Sequence, residues 1–131
     1  MHHAIIFRTS KFEVSKEREN PINPIFGHSL LDWLREKLKN EVQITKPEAE
    51  DWGWYSYLEW QGRKYLIGAS VHYGEHDDSS SELEWVFQID KQRSIIEKLS
   101  GKEKMGINDP CLLFFKRVFE SELDIKGMEV E

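Results

Sequence analysis

WYSYLEWQGRKYLIGASV, residues 54–71, is the stretch that decides the predicted fold. In its first half Trp54 and Leu58 share one side of the chain, while Tyr55 and Tyr57 share the other. A period of two residues is typical of a β-strand. A glycine turn follows, and apolar residues then again occupy every second position, which predicts a β-hairpin. The two tyrosines should therefore point away from the interior in which the other two residues are buried.

Further strands are predicted on both sides of this hairpin. AIIFRT, residues 4–9, and LEWVFQI, residues 83–89, are rich in β-branched or aromatic residues. VQI, residues 42–44, predicts a shorter strand. Together with the hairpin these segments predict an antiparallel sheet of about four to five strands. The tail from Asp124 has few apolar anchors and is expected to fray.

Three helices are predicted from cap residues and apolar stripes. The first, residues 30–40, follows Ser29 as its N-cap. The second follows Asp90 as its cap, and the third opens with Asp109 as cap and Pro110 in the first turn. The apolar residues of the second helix are Ile95, Ile96 and Leu99. Residues 1–131 therefore predict a single α+β domain with the helices packed on one face of the sheet.

Charge and composition restrict the classes of partner. With 24 acidic and 18 basic residues the chain has a formal net charge of -6, which disfavours nucleic acid and favours a basic protein partner. Its apolar run at residues 4–7 is too short for a signal peptide. No stretch reaches the roughly 20 apolar residues of a membrane span, so no membrane association is predicted and the expected location is cytoplasmic. The single cysteine, Cys111, is expected to be a small buried residue.

EDWGW, residues 50–54, is the first candidate site because Glu50 and Asp51 lie directly before Trp52 and the two tyrosines of the hairpin. One interpretation is the edge of a core with a solvated acidic lead-in. The other is a recognition face, since aromatic residues dominate the energetics of interfaces.

HYGEHDDSSSE, residues 72–82, is the second candidate. His72 and His76 have a spacing that serves zinc on a helix, but here it falls across the end of a strand and a loop. A solvated loop is therefore the preferred interpretation, with its acids as an electrostatic rim for a partner. The acids of that rim are Glu75, Asp77 and Asp78.

The sequence contains no catalytic signature. A serine nucleophile elbow, a glycine-rich phosphate loop and a dinucleotide fingerprint are all missing, so no catalytic residue and no cofactor are predicted. An enzyme is the less favoured class.

The EDWGW stretch, the glycine-turn hairpin and LEWVFQI together resemble small bacterial single-domain proteins that are largely uncharacterised. The acidic, aromatic-rich profile is also similar to that of immunity proteins, which neutralise bacterial toxins in the producing cell. That resemblance implies a basic toxin as the partner, bound through acidic and aromatic side chains.

Three functional hypotheses result. The first is a non-enzymatic domain that binds a basic protein, such as a toxin, through the aromatic and acidic residues of both candidate stretches. The second is a small-molecule or metal-binding domain, or a weak metalloenzyme, that uses the sheet face and the loop from His72 to Asp78. The third is a homodimer closed through the aromatic face.

Overall fold

Six β-strands form one antiparallel sheet in the computed structural model, which describes residues 3–72 and 82–131. The strands are β1 (His3–Thr9), β2 (Glu48–Glu50), β3 (Gly53–Trp60), β4 (Arg63–Val71), β5 (Leu83–Lys91) and β6 (Lys126–Val130). They lie in the order β2-β3-β4-β5-β1-β6, and every neighbouring pair is antiparallel. The predicted α+β class is confirmed, and the sheet has more strands than predicted.

The helices of the described chain are α1 (His28–Lys37), α2 (Ile95–Ser100) and α3 (Pro110–Glu120), with a short 3-10 helix at Val14–Lys16. The longer two cover one face of the sheet. In α3, the ring centroid of Phe115 lies 5.0 Å from that of Phe87, and the centroid of Phe119 lies 4.9 Å from that of Phe7. Leu31 of α1 is fully buried in the same core. None of the described helices is long and apolar enough to cross a membrane.

The hairpin of β3 and β4 forms as the alternation predicts. Gln61 and Gly62 connect the strands with φ values of 50° and 79°, the pair of positive φ angles that a two-residue hairpin turn of type I′ requires. Trp54 and Leu58 are buried, whereas Tyr55 is half-buried on the opposite face.

Two predictions about the edges of the sheet are wrong. The tail from Asp124 does not fray, because β6 pairs with β1 and Met128 packs against the core. In the predicted strand at residues 42–44, only Ile44 forms an isolated bridge, to Leu58. The edge strand β2 comes later, after Pro47.

The predicted caps of α1 and α2 are also wrong. Ser29 lies inside α1, and the carboxylate of Glu17 accepts hydrogen bonds from the amides of Gly27 and Ser29 at 2.7 and 3.2 Å. Asp90 belongs to β5, and the cap of α2 is Ser94, which forms a capping box with Glu97.

The start of α3 agrees with its prediction. Asp109 is the N-cap, accepts a hydrogen bond from the Cys111 amide at 2.9 Å, and precedes Pro110 in the first turn. Cys111 is fully buried, as expected.

Candidate binding face of the sheet

The second face of the sheet carries a group of side chains that is separate from the core. Leu66 of β4 pairs across the strands with Tyr57 of β3. Tyr55 of β3, Gly68 of β4 and Gln88 of β5 form one row across the sheet. These residues alternate along their strands with core residues. Among the described residues, the half-buried apolar side chains on this face lie outside the core cluster formed by the helices. We call this surface the open face, defined by Trp52, Tyr55, Tyr57, Leu66, Gly68, Gln88 and Asp90.

The Trp52 indole approaches the sheet closely because Gly68 leaves room for it. A Cβ atom at Gly68 would lie 2.4 Å from Cη2 and 2.5 Å from Cζ3 of the indole, well inside van der Waals contact. The glycine is therefore required by the tryptophan, as is typical of a strand glycine that another group approaches closely. The half-buried indole is held on the open face without entering the core.

Tyr55 and Tyr57 stand beside each other on the open face, with ring centroids 5.7 Å apart in an edge contact. The Tyr55 hydroxyl donates to a Glu48 carboxylate oxygen at 2.9 Å. That hydrogen bond, together with partial desolvation, raises the pKa of Tyr55 above its usual value. Lys64 Nζ lies 4.3 Å from the centroid of the Tyr57 ring, so this ring already contacts a cation.

A cleft of about 420 Å³ opens on this face between Trp52 and the β5 strand. Its walls come from Trp52, Leu66, Gln88, Ile89 and Asp90. Within the described chain, the side chains of Gln88 and Asp90 have no hydrogen-bond or ion-pair partner. The cleft therefore offers an aromatic plane, an aliphatic side, an amide and a free carboxylate.

The edge of the sheet beside the open face is acidic. Glu48 and Asp51 are exposed, and Glu50 is half-buried with its carboxylate accepting from the Asp51 amide at 2.9 Å. None of the three forms an ion pair with residues 3–72 or 82–131. No ion pair of the described chain therefore offsets their negative field, although Arg18 and Lys46 line a cavity together with Glu48.

The proline-rich loop before α1 fixes this acidic turn in place. Buried Asn20 donates through Nδ2 to the carbonyls of Glu50 and Gly53 at 3.0 and 2.9 Å. Asn23 donates to the Asp51 carbonyl at 2.8 Å. These bonds satisfy the backbone at the β2–β3 turn and hold the acids and Trp52 in one geometry.

The structure places the residues of the first candidate stretch close to one another. Glu50, Asp51, Trp52, Tyr55 and Tyr57 lie on the open face or along its acidic edge. The predicted rim residues Glu75, Asp77 and Asp78, together with His76, lie outside the described residues.

Sequence reasoning missed the far wall of the cleft. Leu66, Gln88 and Asp90 come from two other strands, and their position beside Trp52 depends on strand register. Gly68 was the available signal, since a glycine within a strand indicates close approach of another group.

His28 and Cys111, two described residues of types that can serve in catalysis, are engaged in the structure. His28 lies 2.8 Å through Nδ1 from the Asp32 carboxylate, and its Nε2 accepts from the Arg18 amide at 2.7 Å. Because Nε2 accepts a hydrogen bond, Nδ1 carries the hydrogen and donates to Asp32, so both ring nitrogens of His28 are occupied. Burial raises the pKa of the Cys111 thiol, which keeps it protonated.

In the described part of the chain, no three His, Cys, Asp or Glu side chains form a group that could hold a metal ion. His72 is exposed at the end of β4. No protein-family model, curated protein or solved structure matches this chain. The geometry of the open face is therefore the basis for a functional assignment.

Proposed function

We propose that this chain is a non-enzymatic protein-binding domain that receives a basic partner on its open face. The observation that carries the proposal is the aromatic surface of Trp52, Tyr55 and Tyr57, which lies outside the core and beside three carboxylates that form no ion pair with the described residues. Aromatic side chains supply contact area at little cost in conformational entropy, and acidic groups at the rim attract basic partners and orient them.

The cleft beside Trp52 suits a cationic side chain. A guanidinium or ammonium group can stack on the indole plane while the Asp90 carboxylate accepts its hydrogen bonds. Gln88 can accept a further hydrogen bond through its amide oxygen. An arginine of the partner would fit best, because its planar group can both stack and bond.

At a finer level, we propose that the partner is a basic bacterial toxin and that the domain acts as its immunity protein. Support comes from the acidic edge at Glu48, Glu50 and Asp51, which complements the charge of proteins that bind nucleic acid. A rigid, prearranged surface also favours tight inhibition, since little ordering is needed on binding.

The first experiment uses an unbiased display library of peptides, selected against the whole chain. Selected peptides should be enriched in arginine and lysine, and their affinity should fall as salt concentration rises. In Gly68→Ala the new Cβ displaces Trp52 from the sheet, so affinity should fall by roughly tenfold or more, as for a hot-spot residue. Asp51→Lys should mainly slow association.

Gly106→Ala is the matched control, because a Cβ at Gly106 meets no atom within 4 Å. This variant should bind like the unaltered chain. Selected peptides without basic residues, an absence of enrichment, or equal binding by Gly68→Ala and Gly106→Ala would each contradict the proposal.

The toxin assignment has its own test. A gene beside the one that encodes this chain should encode a basic, growth-inhibiting protein. Co-expression of the chain should restore growth, and Gly68→Ala should restore it poorly. Full protection by Gly68→Ala would show that the chain does not neutralise the toxin through the open face.

A small-molecule function is the second candidate, favoured by the size of the cleft at about 420 Å³. Binding of a small planar cation such as guanidinium or benzamidine should change Trp52 fluorescence and raise the melting temperature. Zinc, manganese and nickel titrations compared with His72→Ala test the metal alternative in the same assay. A metal-dependent rise in melting temperature that is lost in His72→Ala would favour that alternative over the protein partner.

A further inference from the structure

Helix α2 exposes an apolar surface that the fold does not use. Ile95, Ile96 and Leu99 are 76%, 77% and 84% exposed, and no residue of the helix is buried. Large aliphatic side chains at such exposure are ordinary when scattered, but three on two adjacent turns form a patch. The sequence predicted this helix from its apolar residues, yet those residues make no contribution to the core.

The helix is nevertheless held firmly. Ser94 and Glu97 form a capping box at its start, and Gly101 ends it in the left-handed conformation with φ 71°. Arg63 of β4 makes two hydrogen bonds of 2.8 Å to the Glu97 carboxylate, which tie the helix to the sheet. Arg93 donates to the carbonyls of Lys102 and Glu97 at 3.0 and 3.2 Å. The apolar side chains are thus presented on a fixed support.

The surroundings of α2 are basic, in contrast to the rest of the chain. Residues 91–104 contain five basic and two acidic residues, a net charge of +3 in a chain of net charge -6. Both acids are paired, Glu97 with Arg63 and Glu103 with Lys91. The exposed lysines of the segment form no ion pair with the described residues. They are Lys98, Lys102 and Lys104.

From this geometry we propose that the α2 patch, defined as Ile95, Ile96, Leu99 and these three lysines, docks into a groove of a protein partner. The groove has an apolar floor and acidic side chains along its rim. The convex helix inserts its aliphatic side chains, and the lysines pair with the rim. This docking is separate from the binding proposed for the open face and does not depend on it.

Charge favours this occupant over a second copy of the same patch and over an anionic membrane. A second copy of the same patch would bring like charges together. An anionic bilayer would attract the lysines but repel a domain of net charge -6, and three aliphatic side chains offer little insertion area compared with a membrane-surface helix. An acidic groove matches both the apolar centre and the basic rim of the patch.

The experiment places the photo-crosslinker p-benzoylphenylalanine at position 96 of the full chain, in the cells that produce it naturally. The control places the crosslinker at position 123, where Leu123 is 97% exposed but far along the chain. We expect an adduct at position 96 that is missing at position 123. Mass spectrometry should map it to a partner segment rich in acidic and aliphatic residues. Lys98→Glu combined with Lys102→Glu should reduce the adduct at least tenfold.

Other outcomes would overturn the proposal. These are adducts between copies of this chain, adducts that the charge reversals leave unchanged, a crosslinked segment that is basic or neutral, and no adduct. Co-sedimentation with vesicles containing anionic lipid, abolished by Ile96→Asp, would assign the patch to a membrane surface and would also refute a protein groove. Gly68→Ala alters the open face and leaves the α2 patch unchanged. Crosslinking at position 96 can therefore be measured in a variant whose open face no longer binds.

Discussion

At the scale of single residues, Asp109 joins two strands to the start of α3. Its carboxylate accepts from the Tyr65 hydroxyl at 2.9 Å and lies 2.8 Å from Lys91 Nζ. Burial alone would raise the pKa of Asp109, but the ion pair with Lys91 and the hydrogen bond from Tyr65 lower it on balance. Asp109→Ala should therefore decrease the free energy of unfolding by about 3 kcal/mol, since the largely buried Lys91 keeps only the more exposed Glu103 as an ion-pair partner and α3 loses its cap. Urea denaturation measures this loss.

Asp124→Asn is the comparison for that variant. Asp124 pairs with Lys11 at 3.4 Å, but its side chain is 52% exposed, and such pairs contribute about 0–1 kcal/mol. The two variants should differ several-fold in their effect on the urea midpoint. Equal effects on the urea midpoint would mean that burial of the Asp109–Lys91 pair adds nothing to the stability of the fold.

Tyr65 should make stability depend on alkaline pH. Burial, and then the hydrogen bond to Asp109, raise the pKa of Tyr65 above its usual value of about 10. The folded state thus favours the neutral phenol. The contribution of Tyr65 to the free energy of unfolding is complete below about pH 10 and declines as pH rises further. Tyr65→Phe removes this titration and should be less stable than the unaltered chain at neutral pH. The gap in urea midpoint between the two should narrow above about pH 10; a constant gap would contradict the assignment.

At the scale of elements, α2 should behave as a surface helix and α1 as a core helix. Ile96→Lys removes no buried contact, so its free energy of unfolding should change by no more than about 0.5 kcal/mol. Leu31→Ala leaves a cavity in the core and should cost about 3 kcal/mol. Melting curves of both variants test the difference. A large loss in Ile96→Lys would show that the helix packs more closely than its exposure indicates.

The same comparison shows where sequence reasoning succeeds. Alternation from Trp54 to Leu58 predicts the strand and its two faces because the period of side chains is a local property. Helix α2 has an equally clear apolar stripe, but such a stripe shows only that one face of the helix is apolar. Whether another element covers that face depends on tertiary packing. The cap of α1 comes from Glu17, ten residues before Gly27, which no local motif indicates.

At the scale of the whole molecule, the open face was predicted in part. The tyrosines and Trp52 were identified from alternation and the acidic lead-in, but their setting requires the order and register of the strands. Gly68 lies under Trp52, and Asp90 reaches the cleft from β5, only because β4 lies between β3 and β5. Strand β6 was missed because it pairs with β1 from the opposite end of the chain, and its Met128 and Val130 are too few to give a local signal.

The acidic open face and the basic α2 patch meet at Asp90, which lines both the Trp52 cleft and a smaller cavity with Arg93 and Lys104. Lys104 should therefore weaken the field that attracts a cation to the cleft. Lys104→Glu should increase the association rate of a basic peptide by about two- to threefold at low salt, with the gain vanishing at high salt. Lys116→Glu, on α3 of the covered face, makes the same change in net charge. Stopped-flow measurements should show a much smaller gain for that control; equal gains would mean that net charge alone controls association, whatever the position of the two surfaces.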